Sequence, residues 1–156
     1  ERNHARTAGI ETGSPTASCS CGEAIVVTNP EVSSVRDSDR ILGILSSKTR
    51  KAERGEGDIP ARLLLTRYSP QRVERGEMLS VEDVQDILAI ELLGVIPESQ
   101  AVLNASNSGA PVILEGESDA GQAYEDAVGR FLGEDRAHRF LTANKKSLFG
   151  RLFGGQ

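Results

Sequence analysis

Ala24, Ile25, Val26 and Val27 form a short, β-branched apolar run, the pattern of a strand buried on both faces of a parallel sheet. Asn29 and Pro30 end it, because proline fixes its own φ and disfavours helical geometry at the residue before it. From Glu31 the apolar period lengthens to about 3.6: Val32, Val35, Leu42 and Leu45 share one stripe, with Ile41 beside it, and Arg36, Asp37, Asp39 and Arg40 lie elsewhere. The spacing predicts a strand, a loop and a helix, with the loop at the carboxyl edge of a sheet. Open α/β folds place their ligands at that edge.

The rest of the chain repeats the alternation. Ser46 to Pro60 is a charged connection with the composition of a solvated loop. Arg62 to Thr66 reads as the second buried strand, and Arg67 to Val73 as a loop at the same edge. Ser80 with Asp83 resembles a capping box, followed by a helical stripe of Val81, Val84, Ile87 and Leu88. Leu92 to Ile96 is a third strand, stopped by Pro97. A short helix around Gln100–Ser106 leads into the turn Gly109-Ala110-Pro111. Asp119 to Leu132 is the last helix of the body, expected to bury Ala123, Ala127, Val128 and Phe131, with Gly133 as its C′ residue. Strands separated by helices imply βαβ crossovers and a parallel sheet, an α/β fold.

At 156 residues and 38% hydrophobic, the chain is long enough for one domain with a real core. The formal net charge of −5 is unevenly spread, since residues 141–156 carry Lys145, Lys146 and Arg151 and no acid. An acidic body argues against general nucleic-acid binding. Cys19 and Cys21 form a lone C-x-C with no second pair and no nearby histidine, and His4 and His138 are isolated, so no metal site is expected. No apolar stretch reaches the roughly 18–20 residues that span a bilayer, and no secretory apolar region is present. The expectation is a cytosolic protein with reduced thiols.

Four runs resemble the MinD family, the septum-site-determining ATPases of the deviant Walker-type P-loop class. They are NPEVSSVRDSDRILGIL from Asn29, LLLTRYSPQRVERGEMLSVEDV from Leu63, ELLGVIPESQAVLNASNSGAPVIL from Glu91 and KKSLFGRLFGG from Lys145. The resemblance covers roughly Ala8 to Gly155. It implies the C-terminal part of a doubly wound parallel-sheet NTPase domain over residues 23–140, then a linker and amphipathic helix over 141–156. Residues 1–22 match poorly. Ala8 to Gly13 resembles the family's switch II segment, but Ala5-Arg6-Thr7 replaces its usual Asp-Ser-Pro lead-in, and a serine-rich stretch from Ser14 replaces an apolar helix. A fragment or a local reading-frame error would account for both.

A P-loop ATPase needs a Gly-rich turn that holds phosphates and a lysine that reaches them. This chain contains no Gly-Lys pair. The family's phosphate loop and dimer-bridging lysine would lie upstream of Glu1, so the chain alone is expected neither to hydrolyse ATP nor to need a cofactor. No catalytic residue is assigned. The family as a whole uses ATP with Mg2+.

The resemblance implies that Thr66 and Arg67, after the second strand, and Pro97 and Glu98, after the third, frame the adenine. Local sequence alone reads Arg67 as a solvated cation and Pro97 as a strand terminator. It also implies that a glutamate at Glu31 faces a lysine of the partner in an ATP-sandwiched homodimer, and that Ser33, Asp37 and Asp39 lie on a surface engaging MinC and MinE. Acids at a helix start ordinarily favour its dipole, which accounts for Glu31 and less well for Asp37 and Asp39. Ser33 and Asp37 are i, i+4, and Asp39 is within one turn, which suggests a common exposed face.

In the tail, Leu148, Phe149, Leu152 and Phe153 occupy one wheel sector of about 140°. Lys145, Lys146 and Arg151 supply only positive charge. A helix docked on the body is one reading; an interfacial helix on anionic inner-membrane lipids is the other, and the all-basic charge favours it. Each apolar residue offers roughly 1.5–3 kcal/mol and each cation about 1 kcal/mol, against about 1–2 kcal/mol per residue ordered. One tail is weak; two on a dimer bind by avidity. Three functions follow: a septum-placing ATPase that cycles between cytosol and the cytoplasmic face of the bacterial inner membrane, a non-catalytic membrane- and partner-binding module, or a ParA-like partition ATPase. The acidic body and the amphipathic tail speak against the last.

Overall fold

The computed structural model describes residues 23–48 and 59–141. The readings made on residues 1–22, on the middle of the Ser46–Pro60 connection and on the basic amphipathic tail lie outside those residues. Three strands, β1 (Ala24–Thr28), β2 (Ala61–Tyr68) and β3 (Glu91–Pro97), form a parallel sheet in the order β1-β2-β3. Val26 stands beside Leu63 and Thr28 beside Leu65, so alternate residues of the two strands share a face.

Helices cover both faces, as a doubly wound architecture requires. On one side, α1 (Val32–Lys48) packs on α3 (Val81–Leu88). The core there joins Val35, Leu63, Leu65, Tyr68, Val81, Val84, Leu88 and Val95. On the other side, α5 (Asp119–Phe131) lies on β3, with Ile96, Ala120 and Ala123 at the contact. Two shorter helices, α2 (Pro70–Glu74) and α4 (Gln100–Ser108), and a 3₁₀ turn (Val112–Leu114) complete the described chain.

Local chemistry sets the boundaries. The Ser80 hydroxyl accepts from the Asp83 amide at 3.0 Å while the Asp83 carboxylate accepts from the Ser80 amide at 3.1 Å, a reciprocal cap that starts α3. Gly133, at φ +92, closes α5 as its C′ residue, with Gly133 N–H bonded to Arg130 O and Glu134 N–H to Gly129 O.

Several expectations needed correction. Tyr68 and Arg67 belong to β2 rather than to the following loop, and that loop contains α2, whose Pro70 suits a first helical position. Ile87 is exposed, because α3 buries only the narrow seam of Val81, Val84 and Leu88. On α1 Val35 is buried, whereas Val32 and Ile41 are exposed. The contact stripe of α5 is Ala120, Ala123 and Ala127, and Val128 and Phe131 stay exposed. The cause is Gly94: a Cβ there would lie 2.9 Å from the Ala127 Cβ, so its absence lets α5 approach β3 on small residues. Finally, β1 is covered on one face only, with Val26 and Thr28 buried but Ile25 and Val27 open.

After α5 the chain straps the free side of β3. The Arg130 guanidinium donates to the carbonyls of Leu93, Arg136 and Ala137. Arg139 Nε donates to Asp126 at 2.6 Å. Phe140 packs with the α5-side cluster and Leu141 with the α1/α3 core, so the strap crosses from one face of the sheet to the other.

Candidate functional site

Because all three strands are parallel, their carboxyl ends emerge along one edge. Three connections meet there: Asn29–Glu31 after β1, Ser69 after β2 and Glu98–Ser99 after β3. The Thr66 hydroxyl donates to Thr28 O at 3.2 Å and ties the ends of β1 and β2 together. That side chain is therefore committed to the scaffold, and what Thr66 offers a ligand is its backbone. Glu98 N–H donates to Tyr68 O at 2.9 Å and ties β3 to β2 in the same way.

Arg67 sits between these ties with φ +57, a left-handed conformation unusual for a residue with a Cβ, which costs about 1–2 kcal/mol. It lies within a register shift of the β2–β3 ladder, between Leu65 and Tyr68. Strain of this kind persists where the surroundings impose it, and it clusters at ligand-binding sites. The conformation sends the Arg67 side chain into solvent, 69% exposed, with Nη2 4.0 Å from Glu98 Oε1. Such a long, exposed pair contributes little to stability, so both groups are available to a ligand. Thr66, Arg67, Pro97 and Glu98 thus come together in one corner, where Pro97 lies in register with Tyr68. A guanidinium plane, a proline ring and loop backbone suit a flat heteroaromatic base.

The residues expected to face a partner lie on the neighbouring connection and on α1. Glu31 N–H bonds to Asn29 O at 2.9 Å and Glu31 O accepts from Val35 N–H at 3.0 Å, which places Glu31 at the helix entrance. Glu31, Ser33, Asp37 and Asp39 are all exposed. At about 100° per residue, Ser33 and Asp37 stand together opposite the buried Val35 and Ser38. Asp39 instead comes up on the flank of that helix. Asp37 reaches Arg40 at 3.9 Å, both side chains largely solvated.

Tyr68 is the residue that reading the loop from Arg67 concealed. Its ring is buried, its hydroxyl donates to Leu141 O at 3.4 Å, and burial, then the charge of Glu82, pushes its pKa up, keeping the phenol neutral. The root of the C-terminal segment is thereby docked one residue from Arg67. A second unforeseen group is Asp126, buried on α5. Burial pushes its pKa up, but the hydrogen bond and charge of Arg139, with Arg130 and Arg136, outweigh this and hold it below the usual carboxylate range. An acid within the apolar side of α5, followed by Arg136 and Arg139, was its only sequence signal. A groove of about 480 Å³ lies at the opposite end, lined among others by Arg62, Glu91 and Arg136 at the amino ends of β2 and β3, away from this corner. Among the described residues no helix is long and apolar enough to cross a membrane.

No protein-family model matches the chain. Among curated proteins it is 64% identical over 148 residues to the septum site-determining protein MinD of Escherichia coli, covering 95% of this chain and 55% of that protein. The chain therefore spans about half the length of the curated relatives it matches. Among solved structures it resembles the MinC:MinD cell division protein complex of Aquifex aeolicus, with 37% identity and a TM-score of 0.75 over 85% of this chain and 52% of that one. It also resembles the septum site-determining protein MinD of Pyrococcus horikoshii complexed with Mg-ADP, with 26% identity and a TM-score of 0.62 over 80% and 47% of the respective chains.

Proposed function

We propose that this chain, a MinD-family sequence corresponding to the C-terminal portion of its relatives, forms the base-binding wall, partner-facing helix and membrane foot of an ATP-driven septum-placing switch. The observation that carries this reading is the corner at the carboxyl edge, where a strained, solvent-directed Arg67 stands beside Pro97 and Glu98. The Mg-ADP bound to the Pyrococcus relative supports a nucleotide as the ligand.

The residues present fit the base end of that nucleotide and not its phosphates. Arg67 stacks or hydrogen-bonds through its planar fork, Pro97 offers an apolar surface, and the backbone at Thr66 and Glu98 fixes orientation. ATP with Mg2+ would supply the phosphoryl chemistry, and the chain has no Gly-Lys pair to hold it. This chain's own task is positioning. Glu31, at the entrance of α1, faces a second protomer of a homodimer, and the exposed Ser33–Asp37 side of α1, with Asp39 on its flank, receives partners. The Aquifex complex supports MinC as one of them, and MinE is proposed from the family resemblance alone.

The tail completes the switch. Lys145, Lys146 and Arg151 attract an anionic leaflet while Leu148, Phe149, Leu152 and Phe153 insert. Because one such tail is weak, nucleotide-driven pairing becomes attachment on the cytoplasmic face of the inner membrane, and its loss becomes release.

The test joins this chain to the N-terminal part of the Escherichia coli relative that the match leaves out. Co-sedimentation with phosphatidylglycerol-rich vesicles is then measured with and without ATP. Binding should require ATP and vanish when Leu148 to Phe153 are deleted. Equal binding without ATP would turn the reading into a nucleotide-independent membrane module, and binding that survives the deletion would refute the role of the tail.

A further inference from the structure

The segment between β2 and α3 closes on itself. The Ser69 carbonyl accepts from the Arg72 and Val73 amides at 3.0 and 3.1 Å, and Glu77 N–H donates to Arg72 O at 2.9 Å. The Glu77 carboxylate also pairs with Arg75 at 2.9 Å. The two ends of the segment then meet, because Ser69 N–H donates to Met78 Sδ at 3.4 Å. Ser69 to Met78 is thus one hydrogen-bonded block with two outside attachments. At one end it continues the backbone of Arg67 and Tyr68, the edge of the proposed base corner. At the other, Leu79 N–H donates to Pro30 O at 3.1 Å, in the connection that opens α1.

Met78 is the pivot. It is buried in one cluster with Tyr68 of β2, Val35 of α1 and Val81 of α3. A thioether is a weak acceptor on a flexible, unbranched side chain. The bond that closes the block therefore costs little to lengthen, and the side chain refills the space when the block shifts. The next link is stiffer. Pro30 is fully buried with its φ fixed by its ring, and Glu31 follows directly, its carbonyl accepting from Val35 N–H at 3.0 Å.

We infer that Met78 is a positioning residue: through the Ser69–Leu79 block it carries occupancy of the Arg67 corner to the entrance of α1, where Glu31 stands. A base held by Arg67 fixes the left-handed backbone there, and with it Tyr68 and Ser69. The block follows as a unit, and Leu79 draws on the Pro30 carbonyl. The base, and not only the phosphates, then sets how Glu31 is presented to a second protomer.

The inference rests on the nucleotide reading of the corner, and one amide-exchange map separates the two. It is recorded on the joined protein, dilute enough to be monomeric by light scattering, with and without Mg-ADP. Protection should rise at Glu98 and Ser99 and also, about fivefold or more, at Leu79 and Val35. Met78→Leu conserves volume, a change that cores tolerate, but removes the acceptor of Ser69 N–H. It should bind Mg-ADP within about fivefold of the native affinity and keep the rise at Glu98 and Ser99, while losing that at Leu79 and Val35. Leu92→Ala loosens the same core from the amino end of β3 and should leave the rise at all four amides. No rise at Glu98 and Ser99 would overturn the base reading and this inference together. A rise there with Leu79 and Val35 unchanged would overturn the inference alone, and that comparison needs no variant. A response at Leu79 and Val35 that survives Met78→Leu, or that Leu92→Ala also abolishes, would overturn it too and leave Met78 as packing.

Discussion

Gly94→Ala adds one methyl group where β3 meets α5. The new Cβ would stand 2.9 Å from the Ala127 Cβ, 3.2 Å from Leu64 Cδ1 and 3.3 Å from Arg130 Nη1. The arginine end can move aside; the Ala127 Cβ is fixed to the backbone of α5 and can move only if the helix moves. Overpacking of this kind costs about 1–3 kcal/mol. Among the described residues the sheet has three strands, with Ile25 and Val27 exposed on β1, so a loss of about 2 kcal/mol should shift the folding equilibrium visibly. The assay is a urea titration followed by far-UV circular dichroism at low micromolar concentration. Ala127→Gly alone should also destabilise, by about 1 kcal/mol from helix propensity. Combined with Gly94→Ala it should recover part of the loss, giving a coupling of at least about 0.5 kcal/mol in the double-mutant cycle. Strict additivity of the two changes would refute close packing of α5 on Gly94.

Other outcomes follow from single groups. Asp126→Asn removes the carboxylate held by Arg139 and Arg136; because both arginines are partly solvated, the cost is about 1–2 kcal/mol rather than that of a fully buried pair. The depressed pKa of Asp126 means that its stabilisation is full above the ordinary carboxylate range and fades as pH falls through the lowered value. The urea midpoint should thus fall more steeply on acidification in the native chain than in Asp126→Asn. Ala89, at φ 52, caps α3 in left-handed geometry, so Ala89→Gly should stabilise by about 0.5 kcal/mol after the entropy of the unfolded chain is counted, read as a higher urea midpoint. Arg67→Gly should likewise leave the fold intact or slightly steadier, while lowering affinity for a fluorescent adenine nucleotide in the joined protein. Loss of folding in that variant would make Arg67 a structural residue.

Strands and caps were legible because their chemistry is local. The apolar runs at Ala24, Leu63 and Leu92 ended at polar or proline positions, and Ser80 with Asp83 announced the start of α3. The corner of Thr66, Arg67, Pro97 and Glu98 followed from parallel strands sharing an edge, together with the family resemblance. What escaped was set by contacts distant in sequence. The left-handed Arg67 and the buried Tyr68 depend on a bulged ladder with β3, so the stretch from Arg67 onward read as a loop. The alanine stripe of α5 depends on Gly94, some thirty residues away, without which the larger Val128 and Phe131 were the natural core candidates. The run at Ile25 and Val27 spoke for a strand covered on both faces, and only one is covered here.

The proposed base-binding role of the Arg67 corner is tested most directly by amide hydrogen exchange on the joined protein, with and without Mg-ATP. Protection should rise at Arg67, Tyr68 and Ser69 and at Glu98 and Ser99, the two connections that flank the proposed base. If the nucleotide binds and exchange at both connections is unchanged, the wall of the site lies elsewhere and the account is wrong.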